Sequence, residues 1–426
     1  MKTVWSLGYN ILFLPLFYLL LRFGGLFKQK IKTGIAGRIN LFEELSTNIN
    51  SFNRTGQLIW FHSASLGEFE QAKPIIEKLK KEKNENIVVT FFSPSGYENS
   101  KKYPYADIIS YLPFDTKSNA KKFVDIVKPD LFVMMRYDIW PNLIWYLKEK
   151  NIPAFLVDAT MKKDSNRNLP VLKSFHKSLY KDVTKILTVS QDDADAFNDF
   201  ELGNDVVSVV GDTRFDRVYQ KSLVAREKHL IHPDILENKK VHVAGSTWEQ
   251  DEEVILRAFT KLSKYDKDVI LIIAPHEPTL LHLEKIENEF AGRLKTIRFS
   301  YLNDYTAERV IIVDSIGILL TLYTYADVAF VGGSFKQNIH NVLEAAVYGI
   351  PVMFGPKISD SQEAKELQER GGGLMIRGRR EAYRRMRSLF GDKELREARG
   401  KISLQYVQEN IGATSKIVGE IEEVFQ

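Results

Sequence analysis

Gln57 to Gln71 reads "QLIWFHSASLGEFEQ". It opens on a short apolar run, passes through a polar segment, and continues with helical spacing. A run of that kind reads as a strand buried on both faces. Ser65 and Glu68 then stand at the S-x-x-E spacing of a helix-capping box. Strand, tight turn and helix form the repeating unit of parallel α/β sheets, and the polar turn falls at the carboxyl end of the strand. Glu68 has two readings there. It closes the first turn of a helix, or its carboxylate does chemistry at the edge of a sheet. Gly67 beside it costs about 1 kcal/mol relative to alanine inside a helix, which suits a backbone that a substrate must approach.

The same alternation recurs outward from this unit. Apolar runs at "NIVVTFF", "DIISYL", "DLFVMM", "AFLVDA", "KILTVS" and "VVSVVG" are separated by stretches of helical period. A charged segment, Arg217 to Lys240, interrupts the rhythm, which restarts with "KVHVAGS", "VILIIAP", "RVIIVD", "DVAFVGG" and "PVMFG". Two doubly wound halves of roughly 180 residues each are the simplest account. The predicted boundaries are 1–33 for an N-terminal segment, 34–216 for the first half and 217–426 for the second. Ligands in open α/β sheets bind at the carboxyl ends of the strands. Two such halves with their loops facing each other predict an enzyme with two substrates, one per half.

Composition narrows the function classes. The 426 residues are 44% hydrophobic, which excludes global disorder, and contain no cysteine, which excludes disulfides, thiolate catalysis and Cys-ligated metals. A net charge of +4 is small for this length and argues against a nucleic-acid partner. Thr3 to Leu21 carries no charged residue; as a helix it would be about 28 Å long, close to the roughly 30 Å core of a bilayer. Arg22, Lys28, Lys30, Lys32 and Arg38 follow it before any acid. The segment is predicted to be a membrane anchor, spanning or half-inserted, with the rest of the chain on the cytoplasmic face. A helix packed on the protein itself is the alternative.

No P-loop, no G-x-G-x-x-G after a strand and no HExxH occurs. The acids of "QDDAD", Gln191 to Asp195, fit a helix start better than a metal site. In "GGSFKQNIHNVLE", small residues follow a strand, and Asn341 and Glu344 have capping-like spacing. Glu344 reads either as a ribose ligand or as part of a structural cap. Arg214 in "GDTRFDRV" presents the planar fork that suits a phosphate, and also fits a salt bridge. Arg136 and Asp138 in "MMRYDIWPN" fit either a site or an ion pair at a strand end. His62 ends a strand and reads either as bonding a neighbouring backbone or as a base; His276 also ends a strand and reads either as meeting a phosphate or as closing a turn.

Taken in order, "HSASLGE", "DIWPN", "GDTRFD", "VDSIG" and "HNVLEAAVYGIPVMFGP" resemble the Kdo transferases over nearly the whole chain. That family moves 3-deoxy-D-manno-oct-2-ulosonic acid (Kdo) from CMP-Kdo onto a lipid A precursor at the inner membrane. The resemblance implies a GT-B fold of two facing Rossmann-like domains with an N-terminal membrane-anchor helix. It makes Glu68 the general base and Asp138 and Arg214 polar groups that stabilise the transition state. The nucleotide contacts it implies are Pro275 and His276, then Ile316, Gly317 and Ile318, then Asn341, Val342, Leu343 and Glu344. No metal or other cofactor is expected. The chain departs from the commoner family pattern in three places. Arg136 and Asp138 replace two glutamates, His276 and Glu277 stand in a segment that often reads Pro-Arg-His-Pro, and Ile318 replaces a glutamate. Two other functions share the pattern: another GT-B nucleotide-sugar enzyme, transferase or epimerase, and a membrane-tethered sugar-nucleotide binding protein with a degenerate site.

Overall fold

The computed structural model describes residues 2–426. The chain forms two compact units: residues up to Arg217 together with Ile411–Gln426, and Val218–Asn410.

In the first unit, seven strands form one sheet: β1 (Leu58–Ser63), β2 (Asn86–Phe91), β3 (Ile108–Tyr111), β4 (Leu131–Met135), β5 (Ala154–Ala159), β6 (Lys185–Thr188) and β7 (Val207–Val209). Their order is β3-β2-β1-β4-β5-β6-β7, and every pairing is parallel. Alternation along each strand feeds two cores. Leu58, Trp60, Phe132 and Met134 pack with Phe123, Leu143 and Leu147 on one face. Ile59, Phe61 and Val133 pack with Phe69, Ile75, Ile76 and Leu79 on the other. Both faces are covered, as the uninterrupted apolar runs require.

The second unit repeats the plan with β8 (Lys240–Thr247), β9 (Val269–Pro275), β10 (Thr296–Arg298), β11 (Val310–Ile312), β12 (Val328–Val331), β13 (Val352–Phe354) and β14 (Gly373–Met375). The order is β10-β11-β9-β8-β12-β13-β14, again parallel throughout. Leu271, Ile273, Val328 and Phe330 meet Ile255, Phe259 and Leu389 in its core.

The division of the chain differs from the sequence reading at the C-terminus, where 217–426 was assigned whole to the second half. The helix Ala413–Glu423 belongs to the first unit. Ile417, Val418 and Ile421 bury beside Ile59, Phe61 and Ile75. The Asp216 carboxylate holds the start of that helix, accepting from the Gly412 N–H at 2.9 Å and the Thr414 N–H at 3.1 Å. Burying three such side chains, at about 1.5–3 kcal/mol each, gives the chain a reason to return.

The N-terminal segment is one long helical run, Lys2–Phe27, with a π-helical bulge at Tyr9–Phe13. Its first half is packed on the unit. The Tyr9 hydroxyl donates to Asp115 at 3.0 Å, and Asn10 and Asn142 exchange side-chain amide bonds at 2.9 Å. Leu16, Leu19, Leu20, Phe23, Leu26 and Phe27 beyond it are exposed. Val4, Leu7, Ile11 and Leu12 of the first half are exposed as well, and Phe17 and Tyr18 of the second half lie against Phe92 and Phe114. One face of the helix thus packs on the unit and the other is apolar and open, and by length and composition the segment could cross a membrane.

Candidate active site

Chain order in the first sheet reverses between β1 and β4, the switch point at which open α/β sheets bind ligands. Glu68 lies there, in the first turn of helix Leu66–Lys83, which follows β1. Ser65 is the N-cap: its hydroxyl accepts from the Glu68 N–H at 3.4 Å. The Glu68 carboxylate reaches back one residue further than a capping box requires and accepts from the Ala64 N–H at 2.6 Å through one oxygen. One carboxylate oxygen is thus engaged in holding the turn.

A relay of side chains leads to Asp138. The Trp60 indole N–H donates to the Thr90 hydroxyl at 2.8 Å. An indole is a donor only, so the Thr90 hydrogen turns to His62 Nδ1 at 2.9 Å. His62 Nε2 then carries the proton and donates to Asp138 Oδ2 at 2.9 Å, beside the Trp140 indole N–H at 3.0 Å. His62 is fully buried, and its two ring nitrogens meet the side chains of Thr90 and Asp138. Burial raises the Glu68 carboxyl above its ordinary value, and the nearby Asp138 charge adds to it. The Ala64 N–H, His62 and Arg136 act in the opposite direction. A carboxylate so placed is a stronger base than an exposed one.

Near the end of β5, Asp158 is buried with a left-handed backbone (φ 51°). Burial, reinforced by the neighbouring Asp212 charge, pushes its carboxyl up to about 7. Thr213 donates both its N–H and its hydroxyl to Asp158, and the same hydroxyl lies 2.9 Å from the carbonyl of Gln71, one turn beyond Glu68. Arg214 forks onto Asp212 with its Nε at 2.8 Å. Glu68, His62, Arg136 and Asp138 are therefore drawn together, while Arg214 forms a salt bridge with Asp212.

Next to Asp138 lies an apolar cavity of about 360 Å³. Tyr9, Phe13 and Phe17 of the N-terminal helix line it, with Trp140, Phe175 and Leu179 opposite. Asp115, which the sequence did not single out, joins its walls. It accepts from Tyr9, from the Asn142 N–H at 2.9 Å and from the Leu143 N–H at 3.0 Å, fixing the N-terminal helix to the "WPN" turn.

In the second unit the expected nucleotide residues gather less tightly. The His276 ring stacks on His340 with centroids 4.4 Å apart, and Trp248 lies 4.7 Å from His276. The Trp248 indole donates to His340 Nε2 at 3.1 Å, so that nitrogen is unprotonated. Asn341 accepts from the Leu343 N–H at 3.1 Å, which caps the short helix Leu343–Ala346 carrying Glu344. Gly332 and Gly333 are required by close approach: a Cβ on Gly332 would lie 2.3 Å from the Ser246 carbonyl, and Gly333 has φ 97°. Buried Asp251 holds this loop by accepting from the N–H groups of Gly333 at 2.8 Å and Phe335 at 3.2 Å. Pro275 ends β9, whereas Ile316 and Gly317 stand exposed after β11, with Ile318 opening the next turn.

Residues 35–217 match the sequence model of the family described as 3-deoxy-D-manno-octulosonic-acid transferase (kdotransferase). The chain is 31% identical over 341 residues to the 3-deoxy-D-manno-octulosonic acid transferase of Aquifex aeolicus, covering 79% of this chain and 87% of that one. It is 30% identical over 377 residues to a bifunctional glycosyltransferase/methyltransferase of Fusobacterium nucleatum, covering 86% of this chain. It spans only 57% of the length of that relative. Among solved structures, UDP-GlcNAc 2-epimerase from Neisseria meningitidis bound to UDP-GlcNAc superposes with a TM-score of 0.60 at 17% identity, over 86% of this chain and 99% of the other. That likeness establishes the shared fold of two Rossmann-like units, the GT-B type.

Proposed function

Because the chain belongs to the 3-deoxy-D-manno-octulosonic acid transferase family, we propose that it is an inverting glycosyltransferase that moves Kdo from CMP-Kdo to a lipid A precursor. An acceptor hydroxyl attacks the anomeric carbon of Kdo, the bond from that carbon to the CMP phosphate breaks, and CMP departs. Glu68 takes the hydroxyl proton. The observation that carries this reading is the Glu68 carboxylate itself. It sits at the switch point with its basicity raised by burial and with one oxygen held by the Ala64 N–H. A base so placed typically contributes ~10²–10⁴-fold.

Asp138, fixed by His62 and Trp140, is placed to meet the positive charge that develops on the sugar as the bond to CMP lengthens. Arg214 is the cation for the negative charge of the departing phosphate. In the second unit the glycine loop, His276 and the Asn341–Glu344 turn are the proposed seat of CMP, with no metal ion needed to complete the scheme. The apolar cavity beside Asp138 has the chemistry of an acyl-chain pocket, and the exposed face of the N-terminal helix has that of an inner-membrane attachment. Lys28, Lys30 and Lys32 would then face anionic head groups on the cytoplasmic side.

Incubation of the purified full chain with CMP-Kdo and a tetra-acylated lipid A precursor tests the reading by the mass of the lipid product. A gain of one or more Kdo units is expected. An unchanged lipid, with CMP-Kdo intact, overturns it.

A further inference from the structure

Arg136 follows β4 directly, in the position where the family's commoner pattern has a glutamate. Its backbone is left-handed, φ 66°, a conformation that a non-glycine residue adopts at a cost. Its own N–H is spent on the Val157 carbonyl at 2.8 Å. Its guanidinium makes no hydrogen bond or ion pair among the described residues, and Nη1 is buried without a partner. A guanidinium offers five N–H donors in a fixed fork. Buried donors left unmade are rare enough that each asks for an explanation. Two carboxylates flank it, Glu68 beyond β1 and Asp158 on β5, and both feel its charge without pairing with it. The fork is thus held beside the proposed base, cationic and unspent.

We propose that Arg136 is an oxyanion seat, receiving a carboxylate or phosphate group of the sugar substrate that is aligned against Glu68. The seat rests on the transferase reading for the identity of its occupant: Kdo carries a carboxylate on its anomeric carbon, and the glycolipid acceptor carries phosphates. Bidentate pairing with either gives orientation as well as attraction. It also couples binding to basicity. The free Arg136 charge restrains the Glu68 carboxyl, and an anion seated on the fork cancels that restraint only when substrate is in place.

Transfer is measured with wild type, R136Q and R136K, using a bisphosphorylated acceptor and the same acceptor after phosphatase treatment. Thermal unfolding followed by circular dichroism serves as the check that the first unit, which carries Arg136, is folded. If the seat takes the acceptor phosphate, dephosphorylation costs wild type at least tenfold in kcat/KM and costs R136Q no more than twofold. If it takes the Kdo carboxylate, R136Q loses at least tenfold with both acceptors. R136K recovers part of either loss, and the acidic limb of kcat/KM moves to higher pH in R136Q. Should R136Q stay within threefold of wild type on both acceptors with an unmoved limb, the seat is refuted. Should wild type transfer nothing, the transferase reading fails separately. The seat is then decided by titrating free Kdo and inorganic phosphate into CMP-saturated wild type and R136Q by calorimetry. Tenfold weaker binding of either anion to R136Q upholds it, and equal or absent binding in both proteins overturns it.

Discussion

Replacing Glu68 by glutamine removes the base and almost nothing else. The carboxamide oxygen can still accept from the Ala64 N–H that Glu68 holds at 2.6 Å, and the backbone N–H of residue 68 still reaches the Ser65 hydroxyl. The helix start should survive. Loss of a general base costs ~10²–10⁴-fold in rate, or roughly 3–5 kcal/mol of transition-state stabilisation at about 1.36 kcal/mol per decade. Stability should move the other way. The folded-state carboxyl is raised above its unfolded value, so the native state binds the proton more tightly and is favoured at acid pH. That advantage is lost as pH rises through the folded value. Glutamine carries no such dependence, so E68Q should unfold at no lower a temperature than wild type at neutral pH. The assay is kcat/KM from pH 5 to 9 by product mass, beside thermal unfolding of both proteins. Wild type should show an acidic limb displaced upward from that of an ordinary glutamate. E68Q with more than a tenth of wild-type kcat/KM, or E68Q inactive because it has unfolded, would refute the assignment.

Asp158, raised from 3.8 to about 7, holds a proton in the folded state that the unfolded chain releases. Stability should therefore fall as pH rises from about 4 to about 7, and D158N should flatten that slope in denaturant titrations at successive pH values. Ile417→Ala should cost the first unit about 2–5 kcal/mol. Hydrogen exchange should quicken in β1 and β4 while the strands of the second unit keep their protection. Replacing Leu16, Leu20 and Phe23 together by serine should lower partition onto anionic lipid vesicles at least tenfold in a sedimentation assay, with CMP binding unchanged. Unchanged partition would remove the open face of the N-terminal helix as the attachment.

The strands of the first sheet were all legible, because each is an apolar run flanked by polar turns. In the second sheet five strands were legible and two were not. β10 and β14 are three-residue edge strands, "TIR" and "GLM", too short to show alternation or a continuous run. Glu68 could be singled out from spacing because the helix start itself calls for an acid at that place. Asp115 and Asp251 could not. Each satisfies backbone N–H groups contributed by segments distant in sequence, and no local pattern marks such a residue. The helix Ala413–Glu423 reads as an ordinary amphipathic helix, and nothing in its period says which sheet its apolar face will cover. Arg214 was legible as a cation but not as the partner of Asp212 two residues before it.

The return of the last helix to the first unit sets an order of events on the ribosome. β1 to β7 are synthesised early, yet the face carrying Ile59 and Phe61 lacks the side chains of Ile417 and Ile421 until the helix Ala413–Glu423 has been made. The intervening second unit, Val218–Asn410, takes about 10–40 s to emerge at ~5–20 residues per second. It is contiguous in sequence and can close its own core first. The nascent first unit meanwhile presents an apolar stripe that its last helix does not yet cover. A stop codon between Asn410 and Ala413 would spare every proposed site residue and still leave the first unit unfinished.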